Sequence, residues 1–141
     1  MILTTILILL DQITKILVLK SKINIEVIPN LLSFNYTENR GMVFGLAQGS
    51  VYIIGVIALL LCIAIVIYII REKSKGSKIY FPIYMILAGG IGNVIDRFCR
   101  GYVVDFIDTP FIATFNLADT FVVIGTIFLI IMIYKEGHEN D

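Results

Sequence analysis

The sequence predicts an all-α integral membrane protein with four transmembrane helices in one domain, residues 1–141, and a small β-rich element outside the membrane. Hydrophobic residues make up 58% of the chain, above the roughly 45–50% apolar content of soluble domains. The mean hydropathy is +0.93, and several apolar runs approach the about 20 residues that a helix needs to cross a bilayer. The formal net charge of zero gives no indication of nucleic-acid binding, so the expected surroundings are membrane lipids.

Four apolar runs form the predicted spans: residues 2–19, 51–70, 79–96 and 117–134. The run 51–70 contains no charged residue, whereas the other three include polar or charged side chains. Helices of that kind are expected to turn those side chains toward a polar interior and away from lipid. The first run has neither the basic start nor the small-residue cleavage site of a signal peptide, so we expect it to be retained as a helix.

The loop 71–78 sets the expected orientation, because it contains four basic residues and one acidic residue. Short basic loops stay in the cytoplasm. With four spans, both termini are then cytoplasmic, and the segments 20–50 and 97–116 lie on the outer side.

The segment 23–45 predicts the β-rich element. Apolar and polar residues alternate over 23–27 and again over 32–36, with Pro29-Asn30 as a turn between them. Beyond the second strand, Gly41 and Gly45 flank an aromatic residue. That pattern is typical of a tight loop that backbone or ligand approaches closely, or of an ordinary turn into the second helix.

Polar residues inside the spans are the first functional candidates. Asp11 and Lys15 are four positions apart, so they share one face of the first helix. They form either an internal ion pair that ties helices together or the support of a site. Asn93 and Arg97 share a face of the third helix in the same way, next to a glycine-rich stretch, 89–92, that lets helices approach closely. Arg97 can bind a carboxylate or a lipid phosphate, or simply extend to the membrane surface.

The strongest candidates are Asp105 and Asp119, which lie fourteen positions apart on either side of a short loop. Two carboxylates that meet across such a loop can share one proton and activate a water molecule. Asn116 and Asp119, however, also have the spacing of a helix cap and its third residue, so capping explains Asp119 equally well. Asp108 precedes Thr109-Pro110 and is predicted to be a turn residue.

Five motifs stand in order along the chain: Asp11-Gln-Ile-Thr-Lys15, Asn39-Arg-Gly41-Met-Val-Phe44-Gly45, Gly89-Gly90-Ile-Gly92-Asn93-Val-Ile-Asp96-Arg97, Val103-Val104-Asp105-Phe106 and Phe115-Asn116-Leu-Ala118-Asp119. Together they resemble the motifs of the bacterial lipoprotein signal peptidases, also called signal peptidase II. The resemblance covers essentially the whole chain.

This resemblance implies an aspartic endopeptidase of the bacterial cytoplasmic membrane, with its active site near the outer face. Its substrates would be diacylglyceryl-modified prolipoproteins, cut before the lipidated cysteine. Asp105 and Asp119 would form the catalytic dyad. The supporting and substrate-binding positions would be Asp11, Lys15, Asn39, Gly41, Asn93, Arg97 and Asn116. The enzyme is expected to be a monomer without cofactor, and no His or Cys cluster in the sequence indicates a metal.

Two other classes of protein fit parts of the sequence. A small ion-coupled transporter would use Asp11, Lys15, Asp105 and Asp119 as a relay, although the acids crowd one face and no inverted repeat is visible. A non-enzymatic assembly factor held together by glycine packing would tolerate conservative changes at both Asp105 and Asp119.

Overall fold

The computed structural model describes residues 1–41, 50–72 and 79–139. The chain order of its elements is α1 (Ile2–Ser21), β1 (Asn24–Ile28), β2 (Leu32–Asn39), α2 (Ser50–Glu72), α3 (Tyr80–Cys99), β3 (Val103–Thr109), β4 (Ile112–Phe115) and α4 (Leu117–Glu139). The predicted basic-loop residues Lys73, Lys75 and Lys78 and the glycine-loop residues 42–45 lie outside the described residues.

Helix α3 is the centre of the bundle, because α1, α2 and α4 all pack against it. Half of its residues are buried, including Leu87 and Ala88. The three surrounding helices instead expose many large apolar side chains, such as Leu17 and Ile130, as expected for surfaces that face lipid. By length and composition, three of the described helices can cross a membrane, namely α1, α2 and α4. The predicted third run is confirmed as a helix, α3, but it is not among these three.

Glycine allows α3 and α4 to pack almost backbone to backbone. A Cβ atom at Gly89 would lie 2.2 Å from the carbonyl oxygen of Ala118, and one at Gly125 would lie 2.9 Å from the carbonyl oxygen of Pro82. Any larger residue would therefore push the helices apart. The close contact also holds the beginning of α4 against the C-terminal half of α3, where Asn93, Asp96 and Arg97 lie.

A four-stranded antiparallel sheet in the order β1-β2-β3-β4 lies at one end of the bundle. The strands β1 and β2 confirm the prediction from residue alternation. The sequence analysis predicted no strands in the segment 97–116, which contains β3 and β4. Val103 to Phe106 are all buried. Val104 and Phe106 pack with Val18 of α1, and Asp105, on the other side of the strand, contacts Asn39 and Asn116. A strand buried on both faces shows no alternation of apolar and polar residues.

Asp108 belongs to β3 and not to the turn, which follows at residues 110–111. Its carboxylate accepts hydrogen bonds from Ser33, Asn35 and Thr114 at 3.1–3.3 Å. The side chain therefore links three neighbouring strands. The prediction of a turn residue was wrong because these partners lie far from Asp108 in the sequence or on the returning strand.

Candidate active site

Asp105 lies in the middle of β3 and is only 1% exposed. Its strand pairs with β2, so that Thr37 stands opposite Asp105 and Asn39 opposite Val103. This register brings the Asn39 amide to the carboxylate, to which its Nδ2 donates at 2.8 Å. The Asn116 Nδ2 donates to the other oxygen at 2.6 Å. The carboxylate is thus held from two sides by neutral amide donors.

Gly41 contributes to the orientation of Asn39. Its backbone N–H donates to the Asn39 Oδ1 at 2.9 Å, which leaves the Nδ2 of the same amide free to face Asp105. Gly41 has a φ of +71°, a left-handed conformation that glycine adopts without strain. The predicted supporting role of Asn39 and Gly41 is therefore consistent with their contacts.

Asp119 lies in the first turn of α4 and is half-buried. Its Oδ2 accepts a hydrogen bond from the Asn116 backbone N–H at 3.1 Å, and its own N–H donates to the Asn116 Oδ1 at 3.1 Å. This reciprocal pair is a capping box, so the capping explanation of Asp119 is confirmed. The second carboxylate oxygen, Oδ1, accepts a hydrogen bond from the Asn93 Nδ2 at 2.7 Å. The same side chain therefore caps a helix and reaches toward α3.

Two asparagines connect the aspartates. Asn116 donates to Asp105 through its Nδ2, which also lies 3.2 Å from the Asn93 Oδ1. Asn93 in turn donates to Asp119. Asp105 and Asp119 therefore belong to one hydrogen-bonded group made by β3, α3 and the beginning of α4. The structure thus links the two acids through the side chains of two asparagines.

The pKa of Asp105 is raised to about 6 from its ordinary value of 3.8. Burial is the main cause, and the negative charge of Asp119 adds to it. The hydrogen bonds from Asn39 and Asn116 act in the opposite direction, because they stabilise the ionised form. A carboxyl group with a pKa near neutrality can both hold and release a proton under physiological conditions.

Arg97 is half-buried in the last turn of α3, and its guanidinium donates to the backbone carbonyl of Asn93 at 3.2 Å. Among the described residues it forms no ion pair within 4.0 Å. Arg97 therefore does not form, within the described residues, the ion pair with a carboxylate that the sequence allowed. An arginine that makes one hydrogen bond to the described residues and lies near Asp105 and Asp119 can bind an acceptor that enters the site.

Lys15 is completely buried on α1. Its Nζ lies 2.9 Å from Asp11 and 3.1 Å from Asp96, and it donates to the Asn93 Oδ1 at 3.0 Å. The ion pair between Asp11 and Lys15 is confirmed, and its contact with Asn93 also places it beside the candidate site. Asp96 was not singled out from the sequence. Its spacing of four residues from Arg100, with which it forms an ion pair, was the available signal.

The part of the chain that the structure describes contains no group of three or more His, Cys, Asp or Glu side chains arranged to hold a metal ion. It does contain an apolar groove of about 610 Å³ between α2, α3 and α4. The lining includes Leu61, Ile65, Ile83, Ile86 and Val122. Such a groove can accommodate hydrocarbon but offers almost no polar partner.

Comparison with known proteins identifies relatives that match about nine tenths of the chain. The family model described as Signal peptidase (SPase) II matches residues 3–135. The lipoprotein signal peptidase of Clostridium novyi (strain NT) is 41% identical over 138 residues, which cover 92% of this chain and 93% of that protein. That of Caldanaerobacter subterraneus subsp. tengcongensis is 43% identical over 133 residues, which cover 91% of each chain.

The fold is also that of a solved bacterial membrane enzyme. The two structures superpose with a TM-score of 0.86 at 30% sequence identity, over 99% of this chain and 90% of the other. A second solved bacterial membrane enzyme gives a TM-score of 0.84 at 31% identity. These similarities do not support the small ion-coupled transporter considered from the sequence.

Proposed function

The chain belongs to the signal peptidase II family, and from that premise we propose that it is an intramembrane aspartic endopeptidase. Its proposed reaction removes the signal peptide from diacylglyceryl-modified prolipoproteins by cutting before the lipidated cysteine. The observation that supports the aspartic mechanism most directly is the single hydrogen-bonded group that contains Asp105 and Asp119, closed by Asn93 and Asn116.

The proposed chemistry needs one proton shared by the two carboxyl groups. The ionised carboxylate takes a proton from a water molecule as its oxygen attacks the scissile carbonyl carbon, while the protonated carboxyl donates to the carbonyl oxygen. As the tetrahedral intermediate collapses, the carboxyl that took the water proton donates it to the leaving nitrogen and the carbon–nitrogen bond breaks. The other carboxylate takes back a proton from a hydroxyl of the intermediate, which restores the carbonyl and the single shared proton of the dyad. The raised pKa of Asp105 supports this scheme, because it keeps a protonated carboxyl available near neutral pH.

The neighbouring residues would hold the dyad and the substrate. Asn39, Asn93 and Asn116 orient the carboxylates through their amide groups. Arg97, with donors left over after its contact with the Asn93 carbonyl, would bind a substrate carbonyl oxygen or a lipid phosphate. The groove between α2, α3 and α4 would receive hydrocarbon from the signal-peptide helix or from the acyl chains. Because both aspartates lie in one chain, we expect the monomer to be active.

In the proposed topology α3 also crosses the membrane, which makes four spans. Both termini then lie in the cytoplasm, and the dyad lies near the outer face. It rests on the basic loop 71–78. Cysteine labelling of intact cells tests it in a background that carries Cys62→Ala and Cys99→Ser. A membrane-impermeant reagent should label Glu26→Cys on β1 but not Lys75→Cys. Labelling of position 75 from outside would refute the proposed orientation.

Cleavage of a lipidated prolipoprotein by the purified protein in detergent tests the proposed function directly. The matched control is the same substrate with serine in place of the lipidated cysteine, which should remain uncut. We expect the same rate with and without a chelator. Absence of cleavage, or cleavage that a chelator abolishes, would contradict an aspartic mechanism. A non-enzymatic assembly factor would show no cleavage of either substrate.

A further inference from the structure

Each aspartate of the dyad follows a residue whose backbone N–H is bound by a buried carboxylate. The N–H of Val104, just before Asp105, donates to the Asp96 Oδ2 at 3.0 Å. The N–H of Ala118, just before Asp119, donates to the Asp11 Oδ1 at 3.0 Å. Both hydrogen bonds are completely shielded from solvent. The backbone of β3 and that of α4 are therefore each attached to a carboxylate immediately beside the dyad.

The ammonium group of Lys15 contacts both of these carboxylates. The Lys15 Nζ lies 2.9 Å from the Asp11 Oδ2 and 3.1 Å from the Asp96 Oδ2. Its third contact is the donor bond to the Asn93 Oδ1 at 3.0 Å. An ammonium has three donors, so all of them are used. Because the Asn93 oxygen is occupied by Lys15 and Asn116, its Nδ2 must face Asp119.

We propose that Lys15 is a positioning residue: it sets the separation of Asp105 and Asp119 by holding Asp11, Asp96 and Asn93 in one fixed arrangement. The inference rests on the proposed function, because the separation of the aspartates matters only if they act together. It assigns a role to Asp96 as well, as the group that connects Lys15 to β3.

Stability alone is a poor explanation of this cluster. Removing an ammonium and two carboxylates from water costs several kcal/mol per ion, and well-packed apolar residues often stabilise a protein as well or better. The geometry is nevertheless strict. A Cβ atom at Gly92 would lie 2.6 Å from the Asp11 Oδ2, so the carboxylate packs directly against the backbone of α3 and any larger residue at position 92 would displace it. A fixed position is what alignment of two reacting groups requires.

The first experiment measures the attachments themselves by backbone hydrogen exchange of Val104 and Ala118. In Lys15→Met, both amides should exchange at least about tenfold faster, because both carboxylates lose their common partner. Arg100→Met is the matched control, since Arg100 pairs with Asp96 but does not contact Asp11. In that variant the Ala118 amide should keep its protection. Unchanged exchange of both amides in Lys15→Met would overturn the proposal.

The second experiment measures catalysis in single turnover with enzyme in saturating excess over a lipidated prolipoprotein. Under these conditions a smaller folded fraction does not change the rate of the bound complex, so a merely structural role of Lys15 would leave that rate unaltered. We expect Lys15→Met to lower it about 100-fold, with the half-saturating enzyme concentration within about threefold. Lys20→Met, at an exposed lysine of the same helix, should behave like the unaltered protein.

Two further variants keep the test available if Lys15→Met does not fold. Asp11→Asn and Asp96→Asn retain an oxygen that can accept the backbone hydrogen bond but lose the charge that attracts Lys15. Each should lower the saturating rate by about tenfold. Faster exchange of both amides with an unchanged saturating rate would overturn the positioning role. Absence of cleavage by the unaltered protein would instead refute the proposed function, whatever the exchange rates show.

Discussion

Asp105 and Asp119 have the same side chain but lie in two different kinds of segment. Asp105 is in the middle of a strand, is completely buried and is held by side-chain amides from β2 and from the residue before α4. Asp119 is half-buried in the first turn of a helix, and one of its partners is the backbone N–H of Asn116. The strand shields its carboxyl from water, whereas the helix offers N–H groups and a favourable dipole.

This difference indicates how a symmetric pair of residues can take unequal roles. Burial disfavours the ionised form of Asp105 and raises its pKa to about 6, whereas the carboxylate of Asp119 accepts a hydrogen bond from a backbone N–H at the beginning of a helix. Pairs of acids whose environments differ in this way are a common arrangement for acid–base catalysis. The five predictions that follow test this comparison.

The largest expected effect comes from Asp105→Asn and Asp119→Asn. Each removes an ionisable group while preserving shape, so each should lower single-turnover cleavage by at least about a thousandfold, and the double variant should be little worse than either. Circular dichroism checks that each variant is folded. If Asp119 were only a helix cap, the substitution would cost about 1 kcal/mol or less and leave cleavage intact. Near-normal activity of Asp119→Asn beside an inactive Asp105→Asn would therefore disprove the dyad.

Asn116→Ala removes the side chain that contacts both Asp105 and Asp119. It loses a hydrogen bond to Asp105, another to Asn93 and the cap of α4. A hydrogen bond to a charged group contributes about 1.5–3 kcal/mol, so we expect cleavage to fall about 10- to 100-fold. Asn35→Ala is the matched control, because Asn35 binds Asp108 and not the dyad. Equal losses in the two variants would mean that the effect is general loosening of the fold.

Arg97→Lys tests whether the guanidinium beside the acids acts through its geometry or only through its charge. Lysine retains the charge but not the planar fork of donors. We expect a partial loss of cleavage, about tenfold, with normal insertion in the membrane. The assay is single-turnover cleavage after membrane fractionation. Full activity would exclude a geometric role for Arg97.

The pH dependence of stability should distinguish Asp105 from its asparagine variant. Because its folded-state pKa is raised from 3.8 to about 6, the folded protein binds more protons than the unfolded chain between these values. The contribution of Asp105 to the free energy of unfolding must therefore fall as pH rises from about 4 to about 6 and level off above that. Asp105→Asn should lack this decline. Melting temperatures in detergent at several pH values provide the measurement, and parallel curves for the two proteins would contradict the raised pKa.

The smallest expected effect is that of Asp108→Asn. Asp108 lies on the same strand as Asp105 but bonds only to Ser33, Asn35 and Thr114. We expect cleavage within about threefold of normal and a slightly lower melting temperature, because one oxygen of the strand-to-strand link becomes a donor. A loss comparable to that of Asp105→Asn would show that sheet geometry, and not acid chemistry, controls the rate.

Local patterns determined much of this protein. The apolar runs predicted the positions of all four helices, and alternation predicted β1 and β2, because helix and strand periodicities are visible over a few residues. The spacing of Asn116 and Asp119 predicted the capping box for the same reason, since its contacts span only three positions. The resemblance to the signal peptidase II motifs singled out Asp105 and Asp119 as the pair of acids to examine.

Only the tertiary structure decided how these parts meet. The strand β3 is buried on both faces and so has no alternating pattern, and its pairing with β2 joins segments about 70 residues apart in the chain. The attachment of Val104 to Asp96 likewise depends on the contact of β3 with α3, and that of Asp96 to Lys15 depends on the packing of α3 against α1. The burial that raises the pKa of Asp105 has the same origin. Contacts between distant segments leave no local periodicity, because the chain brings them together only when the core forms.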